Sequence, residues 1–299
     1  MIKFLAKIHL FVTYTLMNFL QTARPSALAG QWYPNDPKQL ARSVDAHLWA
    51  ARSTQIDGKI LAVLAPHAGH TYSGAVAAHA FAPLKDTQPQ TIVILSPMHY
   101  PYPYPLLTSL HRAYTTPLGE IPVARDLITQ LHQTLQTTLG FGLTPIAQDP
   151  EHAIEIELPF LQRVFSHHFD ILPLMLRDQS PQVARALAEA LLPLIKDRAA
   201  LVVASSDLSH FYTHETACSL DAELLRRVTA LDPEGVLHAE EEGVGFACGR
   251  GAIAAALWVA QALGANRATL LKHATSGEIT GDMQRVVGYA AAAITQTLN

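Results

Sequence analysis

Only two cysteines, Cys218 and Cys248, occur in the 299 residues. A disulfide framework is thereby excluded; two cysteines suit a reducing compartment, or a role in chemistry for one of them. Charge is also sparse: Asp, Glu, Lys and Arg make up 15% of the chain, the net charge is −4, and no basic block occurs. That balance argues against electrostatic binding of nucleic acid. A P-loop, a dinucleotide glycine fingerprint, an HExxH helix and a G-x-S-x-G elbow are all missing. The short stretch GVGFACG lacks the strand–turn–helix context and downstream acid of a dinucleotide site. Nucleotide-dependent chemistry and serine hydrolysis are therefore disfavoured.

No long apolar run suits a membrane span either. The N-terminal stretch MIKFLAKIHLFVTYTLMNFL is too short in its apolar part, and too polar, for a stable one. Its early lysines, apolar middle and the Ala27-Leu28-Ala29 triplet resemble a signal peptide. Cleavage after Ala29 would cut into ALAGQWYPNDPKQL, which reads as the opening of the folded domain, a short strand and turn leading into a helix. The favoured organisation is an extension over residues 1–23 ahead of one domain over 24–299, in a cytoplasmic protein, with export as the alternative.

Hydrophobic residues make up 49% of the chain, enough for a large core with both faces of a sheet covered. Buried-strand runs recur at 59–66, 91–97, 169–176, 200–207, 268–274 and 288–294. Their near-continuous apolar character predicts strands covered on both faces. Helical patterns lie between them, opened by Asp36-Pro37 and Ser180-Pro181, and followed by THETACSLDAELLRRVTAL, DPEGVLHAEEEG and the small, apolar GRGAIAAALWVAQALG. Pro117-Leu118-Gly119 turns the chain between two short strands. The fold class is a single α/β domain with a mostly parallel central sheet flanked by helices.

Histidine is over-represented, at 15 residues, and its placement matters. KILAVLAP runs into His67, TIVILSP into His99, and ALVVASS into Asp207 and His210. In an open parallel sheet the C-terminal strand ends share one edge, where ligands bind. Alone, His67 in PHAGHTYSG would be a turn histidine bonded to backbone, with Ser73 a candidate cap for the next helix. Paired with His99, it offers two neutral imidazoles suited to iron, copper or zinc. Cys248, leading into an apolar helix between glycines, is either a thiolate favoured by the helix N-terminus and Arg250 or a small residue packing a tight turn. Cys218 is expected in the core. Asp207 and His210 are an acid/base pair, a positioning pair or ligands. In DPEHAIEIELPFL the i, i+3 spacing puts His152 and Glu155 on one helical face, His152 being the pocket candidate and Glu155 a solvated residue.

Seven motifs, RPSALAGQWYP, APHAGHTYSG, ILSPMH, TPLGEIPV, EHAIEIELPFL, SSDLSHF and ACGRGAI, resemble in content and order those of Memo-like proteins, called AmmeMemoRadiSam system protein B in prokaryotes. The resemblance spans residues 24–296. It implies a fold similar to class III extradiol dioxygenases and a metal site of His67, His99 and Cys248, with Asp207, His210 and His152 lining the same pocket. A thiolate with two imidazoles suits redox metals, so iron or copper is expected in preference to zinc; the resemblance further implies functional links with an AMMECR-type protein and a radical SAM protein. Relatives often carry tyrosine where His70 stands, so the extra imidazole is expected to serve as a further ligand or beside the ligands and to alter metal or substrate preference; some carry histidine where Glu157 stands, which leaves that position without a role. A thiolate replaces the carboxylate of the ring-cleaving dioxygenases, so their activity does not carry over from the fold. The leading expectation is a metal-binding protein with redox or oxygen-dependent chemistry on a small molecule, His210 or His152 moving protons and Asp207 fixing His210. The alternatives are a non-catalytic recognition module for a peptide or phosphorylated ligand, with Arg112 or Arg250 facing the pocket, and a zinc hydrolase.

Overall fold

A computed structural model describes residues 21–52 and 55–297. The signal-like residues 1–20 lie outside the described residues. The chain runs through β1 (Ala23–Arg24), α1 (Pro37–Ala51), β2 (Lys59–Ala65), α2 (His70–Phe81), β3 (Thr91–Pro97) and β4 (Leu106–Ser109). It continues through β5 (Ala113–Thr116), β6 (Gly119–Pro122), α3 (Arg125–Leu139), β7 (Thr144–Ile146), α4 (Leu158–Val164) and β8 (Asp170–Leu176). The remainder holds α5 (Pro181–Ile195), β9 (Ala200–Ser205), β10 (His210–Tyr212), α6 (His214–Thr229), α7 (Pro233–His238), α8 (Arg250–Ala262), β11 (Arg267–Thr275), α9 (Gly277–Thr280) and β12 (Val286–Gln296).

The main sheet has the order β11-β12-β2-β9-β3-β8-β4-β7, and β10 adds to the start of β12 beyond β2. Its centre, β2-β9-β3-β8, is parallel. Antiparallel pairing appears at the margins, where β12 meets β2 and β4 meets β8. The expected parallel core is present, and the whole sheet is mixed. β3 is buried at every residue and β2 over its last five, as strands covered on both faces should be. The 268–274 run departs from that expectation. β11 pairs with β12 alone, and Leu270 is 41% exposed, because an edge strand has a neighbour on one side only.

Two groups of helices flank the sheet. α1, α2 and α4 pack together, α2 resting on β2, β11 and β12. α8 lies on β2, β3 and β9 and is joined by α5 and α7. Alanines 252, 254, 255 and 256 of α8 and 290–293 of β12 are all buried, small residues allowing close layer approach. Asp36 caps α1 by accepting from the Gln39 N–H at 2.8 Å, with Pro37 preset for the first turn. Pro117–Leu118 turns β5 into β6, which with β1 form a separate three-stranded sheet. Among the described residues no helix is long and apolar enough to cross a membrane.

Candidate metal centre

Because β2, β9 and β3 are adjacent and parallel, their C-terminal ends emerge side by side. Pro66 follows β2 and Pro97 closes β3, so each strand stops shortly before its histidine. Cys248 reaches the same place from the opposite direction, two residues ahead of α8. Gly249 makes that possible: a Cβ there would lie 2.8 Å from the Ser205 carbonyl oxygen and 2.9 Å from the Ser206 side chain. The Gly249 N–H donates to Ser206 Oγ at 2.8 Å, and the Gln179 side-chain amide donates to the Cys248 carbonyl at 2.8 Å. The loop is thereby clamped against the end of β9.

Ligand-capable atoms of His67, His99 and Cys248 all lie within 4.8 Å of one another. Cys248 Sγ is 3.1 Å from His67 Nε2, and the His67 and His99 rings stand perpendicular with centroids 5.2 Å apart. His67 Nδ1 lies 3.0 Å from Ser205 Oγ, and His99 Nδ1 lies 2.9 Å from Glu151 Oε1. With both Nδ1 positions engaged away from the cluster, both Nε2 lone pairs are available to an ion. Outer-sphere hydrogen bonds of this kind orient ligating histidines in metal proteins. Burial, with His152, His99 and His210 close by, holds the His67 imidazole well below the usual histidine range, so it is neutral, as a ligand must be. Burial and the neighbouring Asp207 push the Cys248 thiol up; a bound cation reverses that by stabilising the thiolate. The residues fit a soft or borderline ion.

A second group of potential ligands, His99, Glu151 and His152, is also close enough for an ion. Its hydrogen bonds argue against that use. The buried Glu151 carboxylate accepts from His99 N (2.7 Å), His99 Nδ1 (2.9 Å), His152 N (2.9 Å) and Ala153 N (3.0 Å). Burial pushes Glu151 up, but these donors and the two imidazoles win and hold it down to about 2. Glu151 is therefore an anchor that aims His99 and fixes the loop carrying His152.

That loop has its own support. Arg24 donates to both Asp149 carboxylate oxygens, to the Asp149 and Glu151 carbonyls and to Glu155. Glu155 also accepts from Ser26 Oγ (2.7 Å), Ala27 N (3.0 Å), Leu28 N (3.0 Å) and Tyr33 Oη (2.7 Å). The expectation of a solvated Glu155 on one helical face with His152 is thus corrected. Both Glu155 and Glu157 are 0% exposed. His152 lies before the helical turn and faces the cavity, while Glu155 points into the Arg24 network. The RPSALAGQWYP and EHAIE motifs are two sides of this buried ion cluster.

Above the three candidate ligands lies a cavity of about 370 Å³, lined by Trp32, Tyr72, His152, Asp207 and His210 as well as His67 and His99. His152 stacks on His99 at 4.6 Å and tilts against Trp32 at 4.6 Å; burial holds its pKa down to about 4, the nearby Glu151 notwithstanding. His210 packs edge-on against Phe246, and burial lowers its pKa. Asp207 faces elsewhere than expected: its carboxylate accepts from the His67 N–H at 2.8 Å and from Ala68, with no bond to His210 among the described residues. Burial raises Asp207 to about 7, against those two bonds.

Several other residues fall outside the cavity. His70 is the first residue of α2; its side chain is buried, bonded to the Ile156 carbonyl at 3.1 Å and packed against Phe160 and Tyr33. Ser73 donates to the Ala68 carbonyl at 2.8 Å, while Gly69 occupies the cap position of α2. Cys218 is half-buried on α6, 3.6 Å from His214 Nε2, not in the core. Arg250 pairs with Glu240, and Arg112 with Glu120 at 2.8 Å. The main residues missed from the sequence are Glu151, Ser205, Trp32, Tyr72 and Arg24. One signal was available: four acids, Asp149, Glu151, Glu155 and Glu157, interrupt a segment too apolar to be a solvated face.

A mixed α/β sheet whose parallel strand ends gather two imidazoles and a thiol defines the class: an α/β protein with a candidate His/His/Cys metal centre. The chain belongs to the Memo-like protein family, whose model matches residues 24–293. It is similar to a MEMO1 family protein of Methanopyrus kandleri, 36% identical over 281 residues, covering 90% of this chain and 97% of the relative. Another, from Methanosarcina acetivorans, is 37% identical over 274 residues with coverage of 90% and 97%. A third, from Nitrosopumilus maritimus, is 31% identical over 272 residues, covering 90% and 98%.

Proposed function

We propose that the protein holds a single iron or copper ion through His67, His99 and Cys248 and performs redox or oxygen-dependent chemistry on a small molecule in the adjoining cavity. The observation that carries this reading is the convergence of three ligand atoms within 4.8 Å, each imidazole steadied through its other nitrogen. A redox metal supplies electron transfer to or from a substrate; two imidazoles and a thiolate suit such ions. Asp207 holds the His67–Ala68 backbone in place. His152 and His210, neutral and on the cavity wall, accept or return protons at their ring nitrogens. Trp32 and Tyr72 supply apolar walls that orient the substrate and displace water.

A recognition module for phosphorylated ligands has less support, because the arginines it requires do not line the cavity: Arg112 and Arg250 pair with Glu120 and Glu240. The motif resemblance extends the proposal to functional links with an AMMECR-type protein and a radical SAM protein, and the sparse cysteine content to a cytoplasmic location. The test is anaerobic purification with metal analysis, then reconstitution with iron(II), copper(I) or zinc(II) and measurement of oxygen consumption across a small-molecule panel. Iron or copper occupancy with oxygen-dependent turnover is expected. Zinc occupancy with oxygen-independent hydrolysis would replace this reading with a hydrolase.

A further inference from the structure

The thiol of the candidate centre sits at the start of a helix that cannot cap itself. α8 begins at Arg250 with Gly249 in the cap position, and no side chain there accepts from the first turn. A capping serine or aspartate has no room, since a Cβ at Gly249 would lie 2.8 Å from the Ser205 carbonyl oxygen. The first N–H groups of a helix nevertheless need acceptors. Gln179, in the loop after β8, supplies one from outside. Its Oε1 accepts from the Gly251 N–H at 2.8 Å, and its Nε2 donates to the Cys248 carbonyl at 2.8 Å. Neither backbone group has another hydrogen-bond partner among the described residues.

The two backbone groups together call for an amide. The Cys248 carbonyl can only accept and the Gly251 N–H can only donate, and a carboxamide carries the matching donor and acceptor side by side. Turned over, it would set donor against donor and acceptor against acceptor, so its orientation is fixed. Gly251 belongs to the fit: a Cβ there would lie 2.9 Å from Gln179 Cβ. Core packing does not account for Gln179, which is half-buried and also lines a separate cavity of about 610 Å³ with Tyr102, Tyr104 and Arg177. Bonds from the Cys248 N–H to the Asp207 carbonyl and from the Gly249 N–H to Ser206 tie the loop to the end of β9. Gln179 ties it to the end of β8 and sets the tilt of the Cys248 peptide. From that peptide the sulfur reaches its place, 3.1 Å from His67 Nε2 and 3.3 Å from the Asp207 nitrogen.

We infer that Gln179 is a positioning residue of the metal centre: its carboxamide caps α8 in place of the side chain that Gly249 lacks and, by the same pair of bonds, holds Cys248 where its sulfur meets the two imidazoles. Gln179 touches backbone, not the ion. This deepens the metal-site reading and rests on it for its consequence, but the clamp is a property of the metal-free protein.

The experiment has two arms. In the first, metal-free protein carrying Cys218→Ser is treated with N-ethylmaleimide, and the rate of Cys248 labelling is followed by mass. Gln179→Met, of similar size but without the two bonds, is expected to label roughly 10–100-fold faster, as loss of two hydrogen bonds raises the population of the opened loop. In the second, cobalt(II) affinity is measured by chelator competition, following the thiolate charge-transfer band. Gln179→Met is expected to weaken binding by roughly 10–100-fold, the usual effect of losing an outer-sphere partner, and to diminish that band. Gly251→Ala, which pushes the amide away from the other side, should do the same. In a Cys248→Ala background neither substitution should weaken cobalt binding further, because both act through the thiolate; a merely structural role would give losses that add. A wild-type labelling rate in both variants, undiminished cobalt binding, or additive losses would overturn the inference. Absence of cobalt binding by wild type would instead strike the metal-site reading, leaving the labelling arm to decide the inference alone. Gly251→Ala keeps the test open if Gln179→Met does not fold.

Discussion

Replacing His70 by glutamine tests the acid response of the fold at a site away from the candidate ligands. His70 is 3% exposed, and its Nε2–H donates to the Ile156 carbonyl at 3.1 Å. Nδ1 therefore carries the lone pair, and it has no hydrogen-bond partner. Protonation would place a charged N–H in surroundings of Phe160, Tyr33 and a neighbouring His47. Burial accordingly lowers the folded-state pKa from 6.5 to about 4. As pH falls below 6.5 the unfolded chain takes up a proton that the folded protein refuses until about 4, so stability is lost across that window and stays lost below it. At about 1.4 kcal/mol per tenfold change in proton affinity, the loss is roughly 3 kcal/mol. Glutamine keeps a donor for Ile156 and does not titrate. In urea unfolding between pH 7 and 4, wild type should lose roughly 3 kcal/mol more than His70→Gln. Parallel pH dependence of the two proteins, or a His70 titration by NMR near the ordinary value, would refute the reasoning.

Other outcomes follow from the same geometry. Arg24→Met leaves Glu155 and Asp149 buried without their cation and should cost about 3–5 kcal/mol in chemical unfolding. Glu151→Ala removes the acceptor for His99 Nδ1 and should weaken metal affinity roughly 10–100-fold by chelator competition, where an unchanged affinity would show that Glu151 does not aim His99. Gly288→Ala should destabilise by about 1–3 kcal/mol in thermal unfolding, since a Cβ there would lie 1.9 Å from Asp221 Oδ2, the carboxylate that holds His273 at 2.8 Å.

What could be read from the chain and what could not divide along physical lines. The central strands were legible because β2, β3, β8 and β9 are buried on both faces and so run as unbroken apolar segments. Strand ends announce themselves where such a segment stops at Pro66 or Pro97 and a histidine follows. From that came the grouping of His67, His99, Asp207 and His210 at one edge, and the structure brings all four to the cavity. Sheet order and strand direction were less accessible: nothing local in ATLLKHA marks β11 as an antiparallel edge strand. The acids of DPEHAIEIE resisted reading because their partners are remote. Arg24 is 131 positions from Glu155, and Glu157 reaches Ser205 across 48. A buried carboxylate is intelligible only with its donors in view, and those come from folding, not from neighbouring residues.

X-ray absorption at the metal edge tests the proposed centre most directly, on protein loaded with iron or copper and on variants lacking each ligand. The expected spectrum contains one sulfur scatterer at about 2.3 Å and nitrogen scatterers near 2.0–2.1 Å, distances usual for thiolate and imidazole ligation. The sulfur shell should vanish in Cys248→Ala, and stoichiometric binding should fail when His67, His99 and Cys248 are removed together. A spectrum without sulfur, or full metal retention by that triple variant, would contradict the His/His/Cys centre.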